Sequence, residues 1–251
     1  MRGVNSCKTP MRLAFIIILL PLLLALLGSR TTTQPKIMLW AWERPEDLTF
    51  IDPQKTGVAF LAKTIYLRGD KVVVRPRLQP LKIAPGTKLV AVVRIETDRT
   101  EVPTLSSLQV QQTAREILNS SVSSVVQIDF DATVSERNFY RELLQQVRQQ
   151  LPASTALSIT ALASWCAGDD WLRDLPIDEA VPMLFRLGVD RHQFQRRLET
   201  GQPFESRICQ NAAGVSTDEP VTAPSVDRLY IFNPRPWAKD SFTVAMETYR
   251  K

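Results

Sequence analysis

The sequence predicts an α/β protein built as a compact, irregular TIM-type (β/α)8 barrel. Short β-rich apolar runs recur eight times between residues 37 and 232, and several are separated by stretches of helical periodicity. Strands alternating with helices form a parallel sheet, and eight parallel strands close into a barrel. No glycine-rich phosphate loop follows the first run, which weighs against a nucleotide-binding open sheet. About 220 residues is short for such a barrel, and several connections are too brief for full helices, hence the expected irregularity. An open α/β sheet is the alternative.

The elements follow in order. Arg2, Lys8 and Arg12 precede the 15-residue apolar run Leu13–Leu27, and polar GSRTTTQP follows it, the layout of an export signal. The run contains Pro21 and falls short of the roughly 20 residues a membrane span needs. The usual small residues before a cleavage point are missing, since Leu26 or Leu27 would occupy the third position. Residues 1–28 are therefore expected to be a signal peptide or, if uncleaved, an N-terminal membrane anchor. Met11 is a second plausible start. Basic residues on the leading side keep that end cytoplasmic, so the remainder would be exported, to a bacterial periplasm or the outer face of the inner membrane. Residues 29–36 read as a linker and 37–251 as a single barrel-like domain.

Within that domain the predicted strands are 37–42, 58–67, 89–95, 125–130, 157–163, 181–185, 214–217 and 228–232. The second continues through Gly69-Asp70 into a β-rich run at 71–75, a hairpin. Residues 105–118 give a mediocre amphipathic helix, with Leu108, Gln111, Arg115 and Leu118 on one side and Val110, Ala114 and Ile117 on another. The clearest helix opens at Thr133-Val-Ser-Glu136, a capping-box pattern, continues through Phe139, Leu143, Leu144, Val147 and Leu151, and stops at Pro152. A further helix covers 191–200, with Gly201 as its stop.

Charge excludes a polyanion partner. The net +5 falls to 28 basic against 26 acidic residues once 1–28 are set aside, and no Lys/Arg cluster follows, so no nucleic acid is expected. The membrane is expected only through the N-terminal segment. Cys7 lies in the leader, leaving Cys166 and Cys209, which in an oxidising compartment read as a disulfide. A catalytic thiol or a serine triad would need a base, and the single histidine, His192, lies in a predicted helix. Zinc would require more His or Cys. No cofactor and no metal is expected; a hard cation on Asp129, Asp131 and Glu43 or Glu96 is the competing possibility.

The stretch VVQIDFDATVSERNFY carries the candidate chemistry. Alternate residues of a strand share a face, so Gln127, Asp129 and Asp131 lie together, the two aspartates about 6–7 Å apart. Val126, Ile128 and Phe130 take the face under the helices. The polar set then faces the barrel axis and ends at the C-terminal mouth, where barrel active sites lie. Two carboxylates there raise one another's proton affinity, which separates an acid from a base. Structurally, Asp131 would instead cap the following turn and Asp129 pair with Arg94 or Arg186. Glu136 reads as a capping residue.

Other strand ends repeat the habit. Trp40, Trp42 and Glu43 end the first strand, Arg94 and Glu96 the third, SWCAGDDW the fifth, FRLG the sixth and FNPRPW the eighth. Aromatics and carboxylates on one rim suit a sugar, whose apolar faces stack on rings and whose hydroxyls need acceptors. Candidate catalytic residues are thus Asp129, Asp131, Glu43 and Glu96. Candidate substrate-binding residues are Trp42, Trp165, Arg94 and Arg186, for a carbohydrate or cell-envelope glycan. Core packing is the competing role for each tryptophan, and the expected one for Trp171.

The blocks MLWAWERPEDL, VVVRPRLQPL, VQIDFDATVSERNFYRELL, LSITALASWC and EAVPMLFRLG together resemble a bacterial family of exported proteins, domain of unknown function 3142. The resemblance implies an envelope protein with a glycosidase-like barrel and no established activity, so it assigns no catalytic residue. A looser similarity is to chitinase-type barrels, which carry D-x-D-x-E at the end of the fourth strand. Asp129 and Asp131 match the first two acids, and Thr133 stands at the third. A mechanism of that type would need Glu43, Glu96 or Glu219 to reach in. A non-catalytic envelope carbohydrate-binding or assembly protein is the alternative function.

Overall fold

A computed structural model describes residues 35–120, 123–222 and 224–249. The expected signal segment and most of the expected linker lie outside the described residues. Among the described residues no helix is long and apolar enough to cross a membrane.

The chain runs β1 (Ile37–Ala41), β2 (Glu46–Leu48), β3 (Thr56–Arg68), β4 (Lys71–Pro76), β5 (Leu81–Ile83) and β6 (Leu89–Thr97). Next come α1 (Ser107–Leu118), β7 (Val125–Asp129), α2 (Arg137–Gln150), β8 (Ala156–Leu162), α3 (Ala163–Cys166) and β9 (Glu179–Met183). It ends with α4 (Arg191–Glu199), β10 (Ala212–Ser216), β11 (Arg228–Phe232) and α5 (Lys239–Tyr249). Eight strands, β1, β3 and β6–β11, pair in parallel around a ring. Ile37 of β1 is in register with both Thr56 of β3 and Leu229 of β11, which closes the barrel and disposes of the open-sheet alternative. β4 turns back antiparallel on β3, and β2 pairs with β5 outside the ring. All eight expected strands are present within two residues at either end.

Alternation along each strand produces two cores. Val126 and Ile128 of β7 and Phe130 just after it join Leu143, Leu144 and Val147 of α2 in the outer layer between barrel and helices. Met38, Trp40, Ala59, Val90, Val92, Val181 and Tyr230 fill the barrel interior. A polar chain threads that interior. Arg228 pairs with Glu179, whose Oε1 accepts from Ser158 Oγ and from the Tyr230 hydroxyl, each at 2.9 Å. Gln127 Nε2 donates to Ser158 Oγ at 3.1 Å, and Trp40 Nε1 donates to Gln127 Oε1 at 3.0 Å. A charge this buried is tolerated because it is paired and hydrogen-bonded.

The expected capping box forms. Glu136 Oε2 accepts from the Thr133 backbone N–H at 2.6 Å and from its hydroxyl at 2.7 Å, and α2 buries Phe139, Tyr140, Leu143, Leu144 and Val147. For α1 the barrel selects the Val110, Ala114 and Ile117 face and leaves Leu108 58% exposed. Gln109 explains the choice: fully buried, its Nε2 donates to the carbonyls of Gly69 and Lys71 and ties α1 to the β3–β4 turn. α3 forms within SWCAGDDW, the stretch that follows the fifth predicted strand, and α5 is an addition to the predicted elements. The expected disulfide is present. It joins Cys166, at the end of α3, to Cys209, before β10, across 43 residues.

Candidate functional site

The strand ends converge at the C-terminal mouth on a cavity of about 360 Å³. β6 brings Arg94, β7 brings Asp129 and Asp131, and β8 brings Thr160. The segment after β9 brings Phe185, Arg186 and Asp190, β11 brings Phe232, and β1 brings Trp40 and Trp42. Each position follows from strand parity. Arg94 is in register with Asp129, and both continue the inward-facing rows of their strands.

One wall is aromatic. Phe185 and Phe232 stack with centroids 5.7 Å apart and planes 8° from parallel. Trp42 meets Phe232 edge-on at 6.3 Å, and Trp40 forms the floor, edge-on to Phe185 and stacked on Tyr230. Arg186 lies over the Phe232 ring at 5.6 Å. Its backbone is left-handed, with φ 53°, a conformation a non-glycine side chain seldom adopts.

The facing wall is charged. Asp129 is 7% exposed; its Oδ1 accepts from Thr160 Oγ1 at 2.7 Å, and its Oδ2 lies 3.6 Å from Arg94 Nη1. Arg94 also donates from Nε to Glu96 Oε1 at 2.7 Å and lies 5.5 Å over the Trp42 ring. Burial raises Asp129 above the ordinary carboxylate range, opposed by Arg94 and Thr160. Asp131 stands on the exposed rim, yet enclosure by the surrounding protein, and then the Asp129 charge, push its carboxyl up to about 6. A carboxyl at that value exchanges a proton near neutrality.

The rim segment carrying Trp42 is clamped from outside the barrel. Arg77, beyond β4, donates to the carbonyls of Ala41, Trp42 and Arg44. Arg44 in turn pairs with Glu46 and donates to the Asn233 and Pro234 carbonyls beyond β11.

Of the residues singled out in the sequence, Asp129, Asp131, Arg94, Trp42 and Arg186 meet in this cavity. Glu96 lines a neighbouring one of about 300 Å³ that shares Arg94, Asp129 and Asp131. Glu43 lines neither; its carboxylate accepts from the Leu78 N–H at 3.2 Å in the outer rim turn. Trp165 is 2% exposed and packs edge-on against Trp171 at 5.1 Å, so it serves the core beside the disulfide. Glu219 accepts from the Arg186 backbone N–H at 3.1 Å and braces that segment from behind. Thr133 is committed to its cap. Phe185 and Phe232 were visible as strand-end aromatics in FRLG and FNPRPW. Asp190 and Phe194 carried no such signal, because they sit past the strand in a turn and a helix. Among the described residues no group of three or more His, Cys, Asp or Glu is arranged to hold a metal ion.

No curated protein and no solved structure matches the chain significantly. Residues 85–181, the segment that carries Arg94, Asp129 and Asp131, match the model of a family described as Domain of unknown function (DUF3142).

Proposed function

We propose that the protein is an exported, carbohydrate-active barrel whose C-terminal mouth binds a glycan and carries a glycoside-hydrolase-like pair of carboxyl groups, Asp129 and Asp131. One observation carries the reading: an aromatic wall of Trp42, Phe185 and Phe232 faces two aspartates whose carboxyls are both raised. A sugar ring stacks its C–H face on the aromatics while its hydroxyls and glycosidic oxygen meet the acids. Asp131, protonated below about 6, is the proton donor to the leaving oxygen. As the C–O bond breaks, Asp129, steadied by Arg94 and Thr160, is the anion that stabilises the oxocarbenium-like centre until a water molecule adds to it and returns a proton to Asp131. The leader pattern and the Cys166–Cys209 disulfide support a site of action outside the cytoplasm.

A second reading, glycan binding without cleavage, is favoured by Thr133, which stands where chitinase-type barrels carry their acid and here closes the α2 cap. A panel of cell-wall and exopolysaccharide fragments, screened with the full-length protein for binding and for release of reducing ends, separates the readings. Saturable binding weakened by Asp129→Asn supports the site, and turnover lost with Asp131→Asn supports hydrolysis. Binding of no glycan in the panel, or binding indifferent to both substitutions, refutes the proposal.

A further inference from the structure

The two cavities at the mouth are not independent. Arg94, Asp129 and Asp131 line both, so the carboxyl pair stands on the ridge between them. Their chemistries differ. The larger is walled by Trp42, Phe185 and Phe232, a surface for the apolar face of one sugar ring. The smaller runs over the β6–β7 rim and is edged by Glu96, Thr97 and Arg99, groups that donate to or accept from hydroxyls.

Building on the function proposed above, we infer that the ligand is a linear oligosaccharide lying across this ridge. One unit stacks in the aromatic cavity, the next is hydrogen-bonded in the polar cavity, and the linkage between them rests on Asp129 and Asp131. A ligand of one ring would leave one cavity unfilled. A chain that fills both places the glycosidic bond between its two units against the carboxyl pair. The site is therefore built to engage a linkage between two rings rather than a single ring.

The test is a length series. N-acetylglucosamine and its β-1,4 oligomers, from monomer to hexamer, are titrated calorimetrically into the full-length protein, with glucose and the cello-oligomers as a parallel series. The dimer or trimer is expected to bind roughly tenfold or more tightly than the monomer, the worth of one or two added net hydrogen bonds. Arg99→Ala, at an exposed rim position, is expected to shrink that ratio severalfold, whereas Trp42→Ala weakens every length. Equal affinity for monomer and oligomers, or a ratio untouched by Arg99→Ala, overturns the two-cavity ligand while leaving glycan binding at the mouth intact. Failure of every length in both series to bind, together with failure of the wider panel, overturns the glycan reading itself.

Discussion

Asp131 is the residue on which the proposed chemistry turns, and its environment has a thermodynamic signature. Its carboxyl is raised in the folded protein to about 6, above the unfolded value near 4. Between those values the native state binds more protons than the unfolded chain, so this group makes stability fall as pH rises from about 4 through about 6. Asp131→Asn is therefore expected to flatten the melting temperature over that range and to gain on the wild type towards neutral pH. Parallel melting curves for the two proteins would show that Asp131 titrates as an ordinary surface carboxyl. Two buried residues allow sharper energetic tests. Glu179 accepts from Ser158 and Tyr230 and pairs with Arg228 inside the barrel, and Glu179→Ala removes that shared acceptor. Chemical denaturation should show a loss of about 1–3 kcal/mol. The Tyr140 hydroxyl, by contrast, is fully buried and has no hydrogen-bond partner among the described residues. Tyr140→Phe is expected to be neutral or to stabilise by up to about 1 kcal/mol, and a clear destabilisation would reveal an unseen partner.

At the scale of elements, local pattern and tertiary context divide the credit. Strands β7 and β8 and helix α2 were legible because each obeys one period throughout and is bracketed by its own stop signals. The Thr133–Glu136 cap is the clearest case, and Thr133→Ala should cost about 1 kcal/mol in a denaturation midpoint measurement. α1 was only half legible. Its apolar residues are split between two faces, Leu108 and Leu118 on one and Val110, Ala114 and Ile117 on the other, and the buried face is fixed by Gln109 reaching the carbonyls of a turn 40 residues earlier, a contact no local pattern encodes. Asp190 and Phe194 escaped for the same reason: the turn after β9, with Gly188 at φ 57°, folds them back over the mouth. Trp165 illustrates the converse. It shares the strand-end position of Trp42, but it lies in α3 beside the bridged Cys166 and packs into the core against Trp171.

For the whole molecule, closure is what converts a list of strand ends into a site. Parity aims Arg94 and Asp129 inwards, and closure sets them opposite aromatics from β1 and β11, which are among the most distant strands in sequence. The disulfide is one of the non-local links among the segments that connect the strands. Replacing both Cys166 and Cys209 by serine is expected to cost about 2–4 kcal/mol and to lower the thermal midpoint accordingly, with the barrel retained by circular dichroism. The interior chain from Arg228 to Trp40 links the barrel's base to the floor of the cavity. The floor also depends on Gly214, where a Cβ would lie 2.7 Å from the Trp40 ring.

The most direct measurement is the pH dependence of glycan affinity, and of turnover where it occurs, for the wild type and Asp131→Asn side by side. An inflection near pH 6 in the wild type that vanishes in the variant is the predicted result. Superimposable profiles would contradict the claim that Asp131 is the acid at the mouth.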